Sequence, residues 1–80
     1  MFTHIALSKL NGLELMVYNY VIKNKDKVMY MTIRELADGA KVSTTTVLRF
    51  CKNMNFSGYS EFRIRFKLYL EQEYKLLLTS

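Results

Sequence analysis

The apolar residues in the first third of the chain recur at intervals of three and four positions, the spacing that places side chains on one face of an α-helix. They are Leu13, Met16, Val17, Tyr20 and Val21. Asn11 precedes them as an N-cap, and Glu14 lies where its carboxylate completes a capping box. The polar run 23–27 ends the pattern. We therefore predict a first helix that packs through this apolar face.

Two shorter helices are predicted downstream from their capping residues. Thr32 and Glu35 repeat the capping-box spacing at the start of a second helix, which residues 39–41 (Gly-Ala-Lys) close. Ser43 is the predicted cap of a third helix. One face of that third helix is apolar and consists of Val47, Phe50, Cys51 and Met54.

The fourth segment, residues 62–68, alternates apolar and basic residues, which is typical of a half-buried strand. Its aromatic residues also keep a helical spacing, and Ser57 or Ser60 is placed to cap a helix there. No partner strand is visible elsewhere in the sequence, and a lone strand is not stable. We therefore predict a fourth helix.

The second and third predicted helices have the spacing of a helix-turn-helix. Ala37 provides the small residue where the two helices approach, residues 39–42 form the tight turn, and Val47 is the apolar anchor. Short polar side chains at residues 43–46 leave the start of the third helix free to approach base edges. The predicted fold class is all-α, a small helical bundle of four to five helices with a helix-turn-helix.

The charge balance indicates a polyanionic partner. The 80 residues contain 12 Lys and Arg against 7 Asp and Glu, a net charge of +5, which favours nucleic acid over an anionic membrane. One cysteine and one histidine provide neither a disulfide nor a zinc site of the usual composition. No nucleophile–base pair and no phosphate-binding glycine loop is present. We expect a cytoplasmic DNA-binding domain that is not an enzyme and needs no cofactor, metal or membrane.

The candidate DNA-contacting residues surround the start of the third helix. Hydroxyl groups bond phosphates or base edges, threonine methyl groups contact thymine, and basic side chains reach phosphate or guanine. We expect specificity from Thr44, Thr45 and Arg49, and positioning from Thr32, Ser43, Lys52 and Tyr59. For Thr46 the alternative is a side chain that faces the interior of the motif, and for Lys41 it is a solvated surface charge. The full predicted set is Thr32, Lys41, Ser43, Thr44, Thr45, Thr46, Arg49, Lys52 and Tyr59.

Two blocks, residues 42–52 (VSTTTVLRFCK) and 56–63 (FSGYSEFR), resemble the N-terminal domain of the RpiR family of bacterial transcriptional regulators. The similarity extends over about residues 7–67, including the helix at 10–24 and the block 32–37. One departure is Asn55, where the family usually has glycine. Asparagine tolerates the left-handed conformation better than most residues, so we expect the turn to be kept.

The resemblance implies control of sugar and phosphosugar metabolism. It implies that residues 1–80 form a single N-terminal DNA-binding domain, with about 69–80 beginning the connection to a sugar-isomerase-type effector domain that is absent from this sequence. A phosphosugar effector would act only through that second domain. Duplex DNA is the expected partner of a symmetric homodimer, which would form through the first helix and residues 69–78.

Two other functions share the predicted fold. One is a protein-interaction module that has lost DNA binding, which the retained residues Ser43, Thr46, Arg49 and Lys52 disfavour. The other is a binder of single strands or RNA that stacks bases on the aromatic residues of the fourth helix. Aromatic residues at helical spacing are more often core residues, so we predict that these side chains are buried.

Overall fold

The computed structural model describes residues 4–79, and in this range it contains six helices and no strand. They are α1 (His4–Ser8), α2 (Gly12–Lys23), α3 (Lys25–Val28), α4 (Ile33–Ala40), α5 (Thr44–Asn53) and α6 (Tyr59–Thr79). The all-α fold class is confirmed, and the alternating segment 62–68 is helical. The structure adds the short helices α1 and α3, so the described residues hold six helices where four to five were predicted.

The predicted caps fix the starts of the two central helices. The hydroxyl of Thr32 accepts the amide of Glu35 at 3.1 Å, and the Glu35 carboxylate accepts the amide of Thr32 at 3.0 Å, which completes the capping box of α4. This backbone bond, with the Thr32 hydroxyl, lowers the pKa of Glu35. The Oγ of Ser43 accepts the amide of Thr46 at 3.2 Å and caps α5. Both caps were predicted from the sequence.

The start of α6 differs from the prediction in its chemistry. Neither Ser57 nor Ser60 caps it through a hydroxyl acceptor in the bonds that the structure shows. Instead the amide and the hydroxyl of Ser57 both donate to the carboxylate of Glu61, at 3.3 and 3.2 Å. A carboxylate in the first turn can thus hold the preceding loop and also interact favourably with the helix dipole.

The core collects side chains from α2 to α6, and Phe62 lies among its aromatic rings. The ring centroid of Phe62 is 5.6 Å from that of Phe50, 5.7 Å from that of Phe56 and 5.6 Å from that of Phe66. The fully buried side chains are Val17, Val21, Val28, Leu36, Val47, Phe50, Cys51, Phe62 and Phe66. The prediction that the aromatic residues of α6 are buried is confirmed for Phe62 and Phe66, whereas Tyr59 and Tyr69 are half-buried.

The predicted apolar face of α2 is partly wrong. Val17 and Val21 are fully buried, but Leu13 and Met16 are 53% and 41% exposed. Glu14 is buried in their place, with 3% exposure. Helix α2 is oriented so that the Glu14 carboxylate faces the core, because the side-chain amide of Asn53 at the end of α5 donates a hydrogen bond to it there.

The turn between α4 and α5 lies one to two residues later than predicted. Gly39 is still helical, and the left-handed residue is Lys41, with φ 61° and ψ 43°. The amide of Val42 donates to the carbonyl of Ala37 at 3.0 Å, which satisfies one of the last carbonyls of α4. Gly39 serves a different purpose: a Cβ there would overlap the phenol ring of Tyr20. Asn55 has φ 70°, so the expected left-handed turn after α5 is confirmed.

Candidate nucleic-acid interface

Helices α4 and α5 pack through the small residue and the anchor that the sequence singled out. Ala37 is 2% exposed, and Val47 on the facing helix is fully buried. The tight turn at Lys41 reverses the chain between them. Because alanine projects only one carbon at this point, the two helices approach closely, and the first turn of α5 is held at the surface.

The second helix of this pair has two chemically distinct faces. Its inner face is fully buried at Val47, Phe50 and Cys51, and burial raises the pKa of the Cys51 thiol to about 12. Its outer face is exposed and consists of Thr44, Thr45, Leu48, Arg49 and Lys52. No residue of α5 is acidic. The inner face anchors α5 in the core, and the outer face presents basic and hydroxyl side chains. Such a face can bind a polyanionic surface.

Seven of the nine predicted contact residues are exposed. Besides the four on the outer face of α5, these are Ser43 at its cap, Lys41 in the turn and Thr32 at the cap of α4. Thr46 is different: it is 8% exposed, and its hydroxyl is 3.1 Å from that of Ser43. Thr46 therefore lies on the inner side of the first turn, which disfavours contact with a base.

Tyr59 is half-buried, and its hydroxyl already has a partner. It donates to the carbonyl oxygen of Met31 at 2.6 Å, and Arg63 donates to the same oxygen at 3.4 Å. Burial raises the pKa of Tyr59 to about 12, although the nearby Arg63 acts in the opposite direction. These bonds fasten the first turn of α6 to the residue preceding Thr32. The Tyr59 hydroxyl has a single hydrogen to donate, and Met31 accepts it in the free domain. A phosphate contact by Tyr59 would require this bond to be exchanged, and it stays a prediction.

A hydrogen bond between the half-buried Asn53 and the buried Glu14 joins α5 to α2, and the sequence did not reveal it. The side-chain amide of Asn53 donates to the carboxylate of Glu14. Asn53 is the last residue of α5, and Glu14 is in the first turn of α2. The bond satisfies the buried carboxylate and holds the far end of α5. The only sign of this bond in the sequence was that Glu14 lies within an apolar pattern. The capping-box position already explained a glutamate there, so the pattern predicted no buried partner.

A comparison with protein families matches almost the whole described chain. A model described as the helix-turn-helix domain of the rpiR family matches residues 4–73. The chain belongs to the rpiR family. The resemblance noted from residues 42–52 and 56–63 is thereby confirmed, and the α4–turn–α5 unit is the helix-turn-helix of this rpiR-family domain.

Curated relatives of the rpiR-family domain are HTH-type transcriptional regulators. GlvR of Bacillus subtilis is 37% identical over 60 residues, which cover 75% of this chain and 24% of GlvR. A regulator of Providencia stuartii is 33% identical over 69 residues, 86% of this chain and 24% of that protein. HexR of Pseudomonas aeruginosa is 37% identical over 59 residues, 74% of this chain and 21% of HexR.

The chain therefore spans about a quarter of the length of the curated relatives it matches. Membership of a helix-turn-helix family whose relatives are transcriptional regulators supports DNA-binding regulation as the role of this domain. Transcriptional regulators are a non-enzymatic kind of protein. Within residues 4–79, no helix combines the length and the apolar character needed to cross a bilayer.

Replacing Tyr59 with phenylalanine tests the bond that fastens α6 to the loop before α4. We expect Tyr59→Phe to lower the free energy of unfolding by about 1 kcal/mol at pH 7. The pKa of Tyr59 is raised from 10.0 to about 12, so the bond contributes fully below about pH 10 and is lost as pH rises through about 12. The difference between wild type and variant should therefore shrink over that range in urea denaturation.

Tyr30→Phe is the matched control, because Tyr30 is 75% exposed. It should unfold like the wild type at every pH. A stability difference for Tyr59→Phe that stays constant up to pH 12 would contradict the role assigned to its hydroxyl.

Proposed function

We propose that the domain binds duplex DNA at specific sequences by placing α5 in the major groove. The observation that carries this proposal is the composition of the outer face of α5, where Thr44, Thr45, Arg49 and Lys52 are exposed together and no carboxylate is present. Arginine contacts guanine through two parallel hydrogen bonds, and threonine hydroxyls bond base edges or phosphates. Lysine at the second turn reaches the phosphate backbone.

The remaining predicted contacts position the helix on the duplex. Thr32 and Ser43 are exposed caps at the starts of α4 and α5, and hydroxyl side chains of this kind bond phosphate oxygens. Lys41 adds a positive charge in the turn between them. Thr46 and Tyr59 remain predicted contacts, although in the free domain their hydroxyls bond Ser43 and Met31.

Removal of the Arg49 side chain tests whether α5 is the reading element. Arg49→Ala should weaken binding to a selected duplex by about 1–3 kcal/mol, since it removes a base or phosphate contact and no packing. The measurement is fluorescence anisotropy with a site enriched from a random duplex pool, and circular dichroism checks that the helical content is unchanged. Unlabelled single strand and duplex should compete unequally, with the duplex stronger.

Lys67→Ala is the control, because it removes one positive charge from a groove between α3 and α6, lined also by Lys25 and Met29. It should bind nearly as the wild type does. Equal affinity of Arg49→Ala and wild type would rule out α5 as the reading helix, and preference for the single strand would favour the alternative of single-strand binding.

A homodimer on a palindromic site is part of the same proposal, because one helix in one half-site gives little affinity. Two surfaces support it. Leu13 and Met16 are exposed on α2, and the end of α6 exposes a larger apolar group: Tyr74, Leu76, Leu77 and Leu78, each 64–73% exposed. Soluble domains rarely leave so many large apolar side chains together without a partner surface.

The salt dependence of binding measures the number of phosphate contacts. With about three or four contacts per monomer, each contributing about −0.9, a dimer should give a slope of log affinity against log salt of about −5 to −7. A monomer should give about half that value. Anisotropy titrations at several salt concentrations provide the slope. A slope near zero would rule out the DNA-binding proposal, and one near about −3 would rule out only the dimer.

The regulatory context is proposed from the family. We infer that this domain belongs to a regulator of sugar and phosphosugar metabolism in the bacterial cytoplasm. In this proposal residues 1–80 are its N-terminal DNA-binding domain, and about 69–80 begin the connection to a sugar-isomerase-type domain that binds the effector. The relatives support the size of such a protein, since this chain matches about a quarter of their length. The end of α6, which continues to Thr79, would form that connection.

A further inference from the structure

An apolar side chain interrupts the polar outer face of α5. Leu48 is 37% exposed, although the core-facing residues of the same helix, Val47, Phe50 and Cys51, are fully buried. Thr44 and Thr45 precede Leu48 by four and three residues, and Lys52 follows it by four. Residues three and four apart are neighbours on a helix surface, so Leu48 lies among the residues proposed to face DNA.

We propose that Leu48 reads the 5-methyl group of a thymine in the major groove. This inference rests on the proposed function and adds a specificity-determining residue to it. The edges of the base pairs in the major groove carry hydrogen-bonding groups and one apolar group, the thymine methyl. A leucine offers no donor or acceptor, so the methyl group is the feature of the groove that it can match.

The same chemistry makes Leu48 selective. Against the amino group of cytosine or adenine, the leucine would exclude water from a donor without replacing its hydrogen bond, which is unfavourable. Against thymine it removes apolar surface of both partners from water, which is favourable. Leu48 therefore disfavours cytosine and adenine and favours thymine. The hydroxyl groups of Thr44 and Thr45 can bond to neighbouring bases or phosphates.

Core packing does not account for the exposed part of Leu48. The inner face of α5 is complete without Leu48, because Val47, Phe50 and Cys51 fill it. Shortening the Leu48 side chain should therefore leave the fold intact, which lets DNA binding be measured separately from stability.

Deoxyuridine scanning isolates the methyl group, since deoxyuridine differs from thymidine in that group alone. A site is first enriched from a random duplex pool, and each thymine is then replaced singly. At one thymine of each half-site, we expect deoxyuridine to lower the affinity of the wild type about three- to tenfold. Leu48→Ala should bind the thymine and deoxyuridine duplexes equally, because its single methyl group extends less far from the helix than leucine does. Leu48→Met should keep the difference because it keeps an apolar side chain of similar length.

Leu68→Ala is the matched control, since Leu68 is 49% exposed on α6. It should respond to deoxyuridine as the wild type does, and a blunted response in it would overturn the inference. Equal losses of affinity on deoxyuridine replacement, for wild type and Leu48→Ala at every thymine, would also overturn it. The proposed function would still stand in that case, because enrichment of a duplex site shows sequence-specific binding. If no duplex is enriched, both the proposed function and this inference fail.

Discussion

Phe62→Ala is expected to lower the free energy of unfolding by about 3–5 kcal/mol, which is a large part of the stability of a domain of this size. Phe62 is fully buried, and its ring lies within 6.0 Å, centroid to centroid, of the rings of Phe50, Phe56, Tyr59 and Phe66. Truncation leaves a cavity among rings that cannot collapse fully. Urea denaturation followed by circular dichroism gives the free energy directly.

Ile64→Ala is the control for this variant, because Ile64 lies on the same helix and is 60% exposed. Its effect should stay within about 0.5 kcal/mol of zero. A similar loss in both variants would mean that α6 responds to any truncation and that Phe62 is not central to the core.

Ala37→Leu is expected to disrupt the helix-turn-helix itself. Ala37 is 2% exposed where α4 meets α5, and three additional carbons have no space there. Overpacking costs about 1–3 kcal/mol and sometimes more, and it should also displace α5 and abolish specific duplex binding. Thermal unfolding and anisotropy with the selected duplex measure the two effects.

Asp38→Leu places the same side chain one residue further along α4, at an exposed position. It should melt close to the wild type. Normal melting of Ala37→Leu, together with normal DNA affinity, would contradict the close approach of the two helices.

The elements that the sequence predicted well are those with local causes. The box of Thr32 and Glu35 and the cap by Ser43 involve residues three apart in the chain, so their spacing is visible in the sequence. The two faces of α5 follow from the periodicity of ten residues. The left-handed conformation at Asn55 follows from the preference of one residue type.

The features that were mispredicted or missed depend on residues distant in the chain. Leu13 was placed in the core because the sequence does not show that Glu14 meets Asn53, 39 positions away. Gly39 was taken as a helix terminator, but it accommodates the ring of Tyr20 from another helix. The helix α3 has only four residues and one buried side chain, Val28, which is too short a segment for periodicity to predict.

The candidate site shows the same division. Exposure of Thr44, Thr45, Arg49 and Lys52 follows from the period of α5. The engagement of the Tyr59 hydroxyl by Met31 spans 28 positions, and no local pattern predicts it. For this reason the residues of the outer face could be proposed from the sequence, whereas the bonds that hold that face in position could not.

The buried Cys51 makes the domain its own unfolding reporter. It is the one cysteine of the chain, it has no exposed surface, and burial raises its pKa to about 12. The thiolate is the nucleophile that attacks a disulfide reagent, and near neutral pH the folded domain offers almost none. The rate of thiol labelling therefore measures how often the core opens, without any introduced probe. Duplex DNA that binds only the folded state should slow this labelling in proportion to its occupancy.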